Sequence, residues 1–327
     1  MHGEADIADG AQAAEGAAQL LRPQGLWPAR LRHIAAPSGA RAHATPHAAP
    51  AELIAERVAG ELDTLLEAQK ISRVFGGLKA VSDVSFSVRR GEILSIIGPN
   101  GAGKTTVFNC LTGVIPPSSG TILWNDAPLE KLPPHAVVAR GLARTFQGIR
   151  LFDNMTVFEN VLVGMDHRFH LPVAAEVLGL PRAARETAEH YAAGLQWLEF
   201  VGLADQAGSR AGDLAYGDQR RLEIARALAS QPQLLLLDEP AAGMNPTEKQ
   251  SLMGLIRAIR DLGTTVLLIE HDMLLVMGVS DRVIVMDRGQ VIADGTPETV
   301  RANPRVIEAY LGRDEEEDEM AEEGATA

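Results

Sequence analysis

"ILSIIGPNGAGKTT", residues 93 to 106, decides the fold. A run that is apolar but for one serine leads into Gly98-Pro99-Asn100-Gly101-Ala102-Gly103-Lys104-Thr105, which satisfies the pattern G-x-x-x-x-G-K-[ST] in full. The apolar run, Ile93 to Ile97, reads as a buried strand, and a helix is expected from about Lys104 to Gly113. Strand, glycine-rich turn and helix together turn backbone N–H groups onto phosphate oxygens. The helix start adds positive potential at the same place. The loop, which runs to Thr106, therefore reads as a cradle for a nucleotide. Lys104 can reach the outer phosphates and Thr105 can ligate Mg2+.

Downstream, Leu234-Leu235-Leu236-Leu237-Asp238-Glu239-Pro240 is a second buried strand with carboxylates at its carboxyl end. Ligands of open α/β sheets bind at that end. Asp238 is suited to hold Mg2+ and Glu239 to polarise an attacking water. Two adjacent carboxylates at a strand end can also be a plain polar cap.

The rest of the chain fits this frame. "LEAQKISRVF" and "VSDVSFSVRRGEILSIIG" alternate apolar and polar residues before the central run, as strands do. Residues 150 to 210 are rich in helix formers. After Leu214 the expected order is helix, strand (Leu234 to Leu237), helix (Thr247 to Leu262), strand (Thr265 to Ile269), then a hairpin turning at Asp287 to Gly289. Alternating strands and helices predict an α/β fold with a mainly parallel, covered sheet and an inserted helical unit.

Composition narrows the function classes. Among 327 residues, 46% are hydrophobic, a globular proportion. The net charge of −13 argues against general nucleic-acid binding, which needs a basic surface. Eight of the negative charges lie in the run Asp314 to Glu319 with Glu322 and Glu323, read as a solvated tail. Residues 1 to 66 are rich in Ala, Pro, Gly and His without a sustained period and read as mostly disordered, with a short helix near Ala51 to Leu66. Cys110 is alone, which excludes an internal disulfide. No apolar stretch approaches the ~20 residues that span a bilayer, and no secretory signal is evident. Any membrane role is expected to run through a partner.

A third stretch, "LAYGDQRRLEIARAL" at Leu214 to Leu228, has the form of a helix with a phosphate-binding start at Gly217. With the two motifs above, it resembles the signature of the nucleotide-binding subunits of ATP-binding cassette (ABC) transporters, usually L-S-G-G-Q before a helix. The resemblance covers about residues 67 to 312 and implies a P-loop NTPase domain with a mainly parallel sheet core, an antiparallel β subdomain and an inserted helical subdomain at about residues 150 to 230. It implies that two subunits stack head to tail, with each ATP between one subunit's Gly98–Thr106 loop and the other's signature helix. Gly217 then serves the partner's ATP. The chain departs from the family at Ala215 (for Ser), Tyr216 (for Gly) and Asp218 (for Gln).

The same resemblance assigns further roles. Phe75 in "SRVFGG" matches the aromatic that stacks on adenine, although alone it reads as a core residue. Gln147 in "RTFQ" matches the glutamine near Mg2+ and the attacking water. His271 in "LLIEHD" matches the histidine that contacts the γ-phosphate. "AAGMNP", Ala241 to Pro246, occupies the loop that crosses the dimer interface, with Asn245 where many members have Asp. The implied catalytic set is Glu239, His271, Gln147 and Lys104, and the implied metal set Thr105, Gln147 and Asp238.

"GIRLFDNMTVFENVLVG" after Gln147 and "VIEAYLG" at the domain's end resemble the ATP-binding subunit of branched-chain amino acid importers. The implied partners are a second ABC ATPase, identical or related, two transmembrane permeases and an extracytoplasmic substrate-binding protein. The implied location is peripheral, on the cytoplasmic face of the membrane. A permease helix is expected against Gln147 to Val163. The alternatives are an importer of urea or short amides, or a soluble ABC ATPase. The latter usually carries two cassettes or a long coiled-coil insertion, which this sequence lacks.

Overall fold

The computed structural model describes residues 63–166 and 181–310, with the backbone alone described at 181–189. The expectations for the chain up to residue 62 and for the acidic tail lie outside the described residues.

Two sheets carry the domain. β1 (Thr64–Phe75), β2 (Leu78–Arg89), β4 (Ser119–Trp124) and β5 (Ala127–Pro128) form an antiparallel sheet in the order β2-β1-β4-β5. β3 (Ile93–Ile97), β6 (Leu142–Arg144), β7 (Leu234–Asp238), β8 (Thr265–Ile269), β9 (Arg282–Asp287) and β10 (Gln290–Gly295) form the second, in the order β10-β9-β3-β8-β7-β6. This sheet is parallel except for the β9–β10 hairpin.

The first strand corrects one expectation. Thr64, Leu65 and Leu66 belong to β1 and not to a helix reaching Leu66. Pairing decides it: Thr64 faces Arg89 and Leu66 faces Val88 on β2, while Leu66 also faces Trp124 on β4. Leu65 and Leu66 are fully buried, so the folded domain includes at least three residues before the expected boundary at residue 67.

Every residue of β3, β7 and β8 is buried. Side chains alternate between faces along a strand, and each face meets its own cover. Leu234 and Leu236 join β1, β2 and helix α1 (Lys104–Leu111) in one core. Leu235 and Leu237 join α5 (Tyr216–Ala229), α6 (Pro246–Asp261) and α7 (Met273–Val279) in another. Each fully buried leucine contributes roughly 1.5–3 kcal/mol, so a continuous apolar run suits a strand covered on both sides.

Before β6 lies the short helix α2 (Pro134–Ala139), and after β10 lies α8 (Pro297–Arg301). Between β6 and α5 the chain leaves the sheet. α3 (Val157–Met165) and α4 (Pro181–Phe200) pack with α5 around Phe158, Val161, Leu198 and Leu222. α3 starts at a capping box: Glu159 N donates to Thr156 Oγ1, and Thr156 N donates to Glu159 Oε2. Asn160, fully buried, donates to Phe152 O and accepts from Phe152 N, which fixes the loop entering α3.

Candidate nucleotide-binding site

The topology gathers the motifs at one sheet edge. β3, β8 and β7 are parallel neighbours, with Ile96 facing Ile269 and Ile269 facing Asp238. The loop after β3, His271 after β8 and Glu239 after β7 therefore leave from the same carboxyl edge.

The Gly98–Thr106 loop is held by its own backbone and by Lys104. Lys104 is 8% exposed, and its Nζ donates to Gly98 O at 2.7 Å and Pro99 O at 2.9 Å. Two glycines are required by space. A Cβ at Gly98 would fall 2.0 Å from Met286 O, and one at Gly103, whose φ is +97°, would fall 2.4 Å from Ala80 O. Gly103 caps α1 without a side-chain hydrogen bond, and the first turn carries no acidic residue. Helix-start N–H groups without a side-chain cap suit an anionic ligand. Asn100, Gly101 and Thr105 are exposed, and Ala102 is buried.

Asp238 closes β7 almost wholly buried. Its Oδ2 lies 2.7 Å from Arg144 Nη2, and Arg144 Nη1 donates to Asn109 Oδ1 of α1. The Arg144 guanidinium also lies over the rings of Phe108 and Phe146. Glu239 takes a backbone conformation rare outside glycine, with φ +47°. Its N–H donates to Ile269 O at 2.9 Å, which ties the turn to β8. Gln147 Nε2 donates to Glu239 Oε2 at 2.9 Å, so two of the expected residues meet directly.

His271 presents an exposed imidazole, 64% accessible. The residue before it is the unexpected one. Glu270 is fully buried and accepts three backbone N–H bonds, from Ala241 at 2.8 Å, His271 at 3.1 Å and Asp272 at 3.4 Å. Burial pushes its carboxyl above the ordinary range, against the pull of those donors. One carboxylate thus joins the start of the Ala241–Pro246 loop to the His271 turn.

Phe75 ends β1, 41% exposed, with the Arg73 guanidinium 4.7 Å from its ring centroid. Gly217 is buried at the start of α5, where a Cβ would meet Glu248 Oε1 at 3.0 Å. Ala215 caps α5 without a side-chain bond. Asn245 caps α6: its Oδ1 accepts from Glu248 N, and its N–H donates to Glu248 Oε2. Cys110 is enclosed, and burial pushes its thiol up to about 11.

Arg144, Glu270, Arg220 and Glu223 escape sequence reasoning, since each is fixed by at least one partner distant in the chain: Asp238 for Arg144, Ala241 for Glu270 and Phe146 for Arg220 and Glu223. Only the i,i+3 spacing of Arg220 and Glu223 carried a local hint.

Comparisons with known proteins agree with this geometry. The model of the ABC transporter family matches residues 81–242, and that of the branched-chain amino acid ATP-binding cassette transporters matches residues 290–316. The chain is 51% identical over 249 residues to the high-affinity branched-chain amino acid transport ATP-binding protein LivG of Salmonella typhimurium, covering 76% of this chain and 98% of that protein. It is 48% identical over 252 residues to BraF of Pseudomonas aeruginosa, which bears the same description, with the same coverage. The ADP conformation of MJ1267, an ATP-binding cassette of an ABC transporter, superposes with a TM-score of 0.67 at 31% identity, over 76% of this chain and 99% of that one.

Proposed function

The chain belongs to the branched-chain amino acid transport ATP-binding proteins of the ABC transporter family, and we propose that it hydrolyses ATP to power import of branched-chain amino acids through membrane permeases. The convergence of the Gly98–Thr106 loop, Glu239 and His271 on one sheet edge carries the ATPase reading. The likeness to LivG and BraF along nearly their whole length supports the transported substrate.

In this reading the loop's N–H groups and α1 hold the phosphates of ATP, and Phe75 stacks on adenine. Lys104 turns from the loop carbonyls to the outer phosphates. Glu239 takes a proton from water as the water oxygen attacks the γ-phosphorus. The bond to the β–γ bridging oxygen breaks, and ADP leaves with that electron pair. Gln147, bonded to Glu239, orients the carboxylate. His271 donates to the γ-phosphate. The Thr105 hydroxyl, the Asp238 carboxylate and the Gln147 carbonyl oxygen are hard donors of the kind Mg2+ takes. Gln147 commits its amide nitrogen to Glu239, so its oxygen is the atom that would hold the metal. Mg2+, when bound, neutralises charge on the β- and γ-phosphates.

A second ABC ATPase completes each site, with Gly217 serving the partner's ATP. Closure of the pair on ATP drives the permeases between two states, and hydrolysis resets them. The exposed Phe152, Met155 and Val163 support a permease contact there. No described helix is long and apolar enough to cross a membrane; likeness to the transport ATP-binding proteins supports a peripheral subunit on the cytoplasmic face.

The test is a pull-down of the tagged chain from gently solubilised membranes, with partners identified by mass spectrometry. Two multi-spanning permeases and a second cassette are expected. Titration of the associated binding protein then distinguishes branched-chain amino acids from urea or short amides. A soluble partner set would defeat the transport reading and leave the ATPase chemistry standing.

A further inference from the structure

α5 contains a buried ion pair that the phosphate-binding account leaves unused. Arg220 and Glu223 stand one turn apart, 2% and 1% exposed, with Arg220 Nη1 3.1 Å from Glu223 Oε2. Taking two charges out of water costs more than their attraction returns, unless other hydrogen bonds fill their remaining positions. Here a different segment fills them. Arg220 Nη1 donates to Phe146 O at 2.8 Å, and Nη2 donates to Gln147 O. Glu223 Oε1 accepts from Phe146 N at 3.3 Å. The pair therefore grips Phe146 by both its N–H and its carbonyl, and Gln147 by its carbonyl. The side chain of that same Gln147 is the one bonded to Glu239.

The other end of the grip reaches the entrance of α5. Arg220 Nη2 also donates to Tyr216 Oη at 3.1 Å. The Tyr216 ring lies against the loop between Glu239 and α6, where a Cβ at Gly243 would be 3.2 Å from it. Arg220 thus touches both the residue beside Gly217 and the backbone that aims Gln147. This also gives Tyr216 a task that the family's usual glycine could not perform, because glycine offers no oxygen to Arg220.

We propose that Arg220, oriented by Glu223, is a positioning residue that couples the two ATP sites. Nucleotide seated by the partner against the entrance of α5 fixes Tyr216 and Arg220, and Arg220 sets the Gln147 backbone and so the hydrogen bond to this chain's own Glu239. The proposal rests on the reading that ATP lies between two such subunits. Its elements are discrete hydrogen bonds between rigid pieces, the kind of contact that switches between two arrangements.

The test uses the full chain assembled with its permeases and partner ATPase in proteoliposomes, comparing wild type with Arg220→Lys and Tyr216→Phe. Lysine keeps the charge but cannot span Phe146 O, Gln147 O and Tyr216 Oη together. Tyr216 is 45% exposed, so its loss of one hydroxyl leaves folding intact and decides the matter if Arg220→Lys does not fold. Binding of a fluorescent ATP analogue to the full chain is expected to match wild type in both. The kcat of Arg220→Lys should fall about tenfold or more, as for loss of a charge-assisted hydrogen bond. The cooperativity of hydrolysis in ATP should weaken in both variants. Wild-type kcat and cooperativity in both, or nucleotide affinity falling in step with kcat, would overturn the coupling role. So would hydrolysis without cooperativity in the wild-type assembly. A wild-type assembly that does not hydrolyse ATP would overturn the ATPase reading and this proposal with it.

Discussion

Arg144 Nη2 and Asp238 Oδ2 stand 2.7 Å apart at the ends of adjacent strands, on side chains only 6% and 2% exposed. The carboxylate expected to face Mg2+ is thereby also a buried ion whose charge is answered from within the fold. Removing the arginine strands that charge. Arg144→Ala is expected to lower the unfolding free energy by about 3–5 kcal/mol. Guanidinium unfolding of the full chain measures it, and a loss below about 1 kcal/mol would show that water answers Asp238 as well as Arg144 does.

Glu239→Gln keeps the shape of the side chain and removes the base. ATP binding should persist while turnover in the assembled transporter drops at least about a hundredfold. Substantial residual hydrolysis would remove Glu239 from the role of base.

Gly103→Ala places a methyl 2.4 Å from Ala80 O at a φ of +97°. Backbone strain of this kind costs about 1–3 kcal/mol before the clash is counted. A lowered Tm is expected together with weakened ATP binding, since the displaced backbone is the cradle itself. Nucleotide titration at a temperature where the variant is fully folded separates the two, and unchanged affinity there would contradict the cradle assignment.

Glu270 gives a pH signature. Burial raises its carboxyl above 4.5, so the folded chain holds a proton that the unfolded chain has released. The associated stability is full below about 4.5 and is lost as pH rises through the raised folded value. Glutamine does not titrate. The stability of wild type minus that of Glu270→Gln should therefore decline with rising pH across this window and then level off. A difference that grows with pH would mean that the three N–H donors outweigh desolvation.

Deleting residues 1 to about 60 should leave transport intact. The curated relatives match 76% of this chain but 98% of their own length, so this chain carries sequence that they do without. Lost transport at normal expression would give that segment a function.

Local signals reached the page; distant ones did not. β8 spans Thr265–Ile269 as its apolar run predicted, and α6 runs Pro246–Asp261 against the expected Thr247 to Leu262. The expected hairpin turns at Arg288 and Gly289, both at positive φ. Each of these depends on periodicity or turn chemistry within a few residues. The cap at Asn245, a capping box with Glu248 and a proline in the first turn, went unread, and it sets the helix start one residue before the expected Thr247. Arg144 finds Asp238 across 94 positions, and Arg220 finds Phe146 across 74. Such pairs follow from which strands and helices become neighbours, and no window of sequence contains that information. The motifs marked the residues proposed to meet the nucleotide, whereas the charges that brace those residues appeared only with the fold.

The strand order also sets a timetable for biosynthesis. β3 sits inside the parallel sheet, but both of its neighbours, β8 and β9, come later in the chain. Ile96 waits about 170 residues for Ile269. At ribosomal speeds of about 5–20 residues per second, that delay is roughly ten to thirty seconds. For that interval a strand apolar but for Ser95 has two bare edges, a state open to wrong pairing. The nascent chain therefore leaves the ribosome with β3 as an unpaired apolar segment, and shielding of that strand by a chaperone or by neighbouring nascent helices is expected to raise the yield of folded protein.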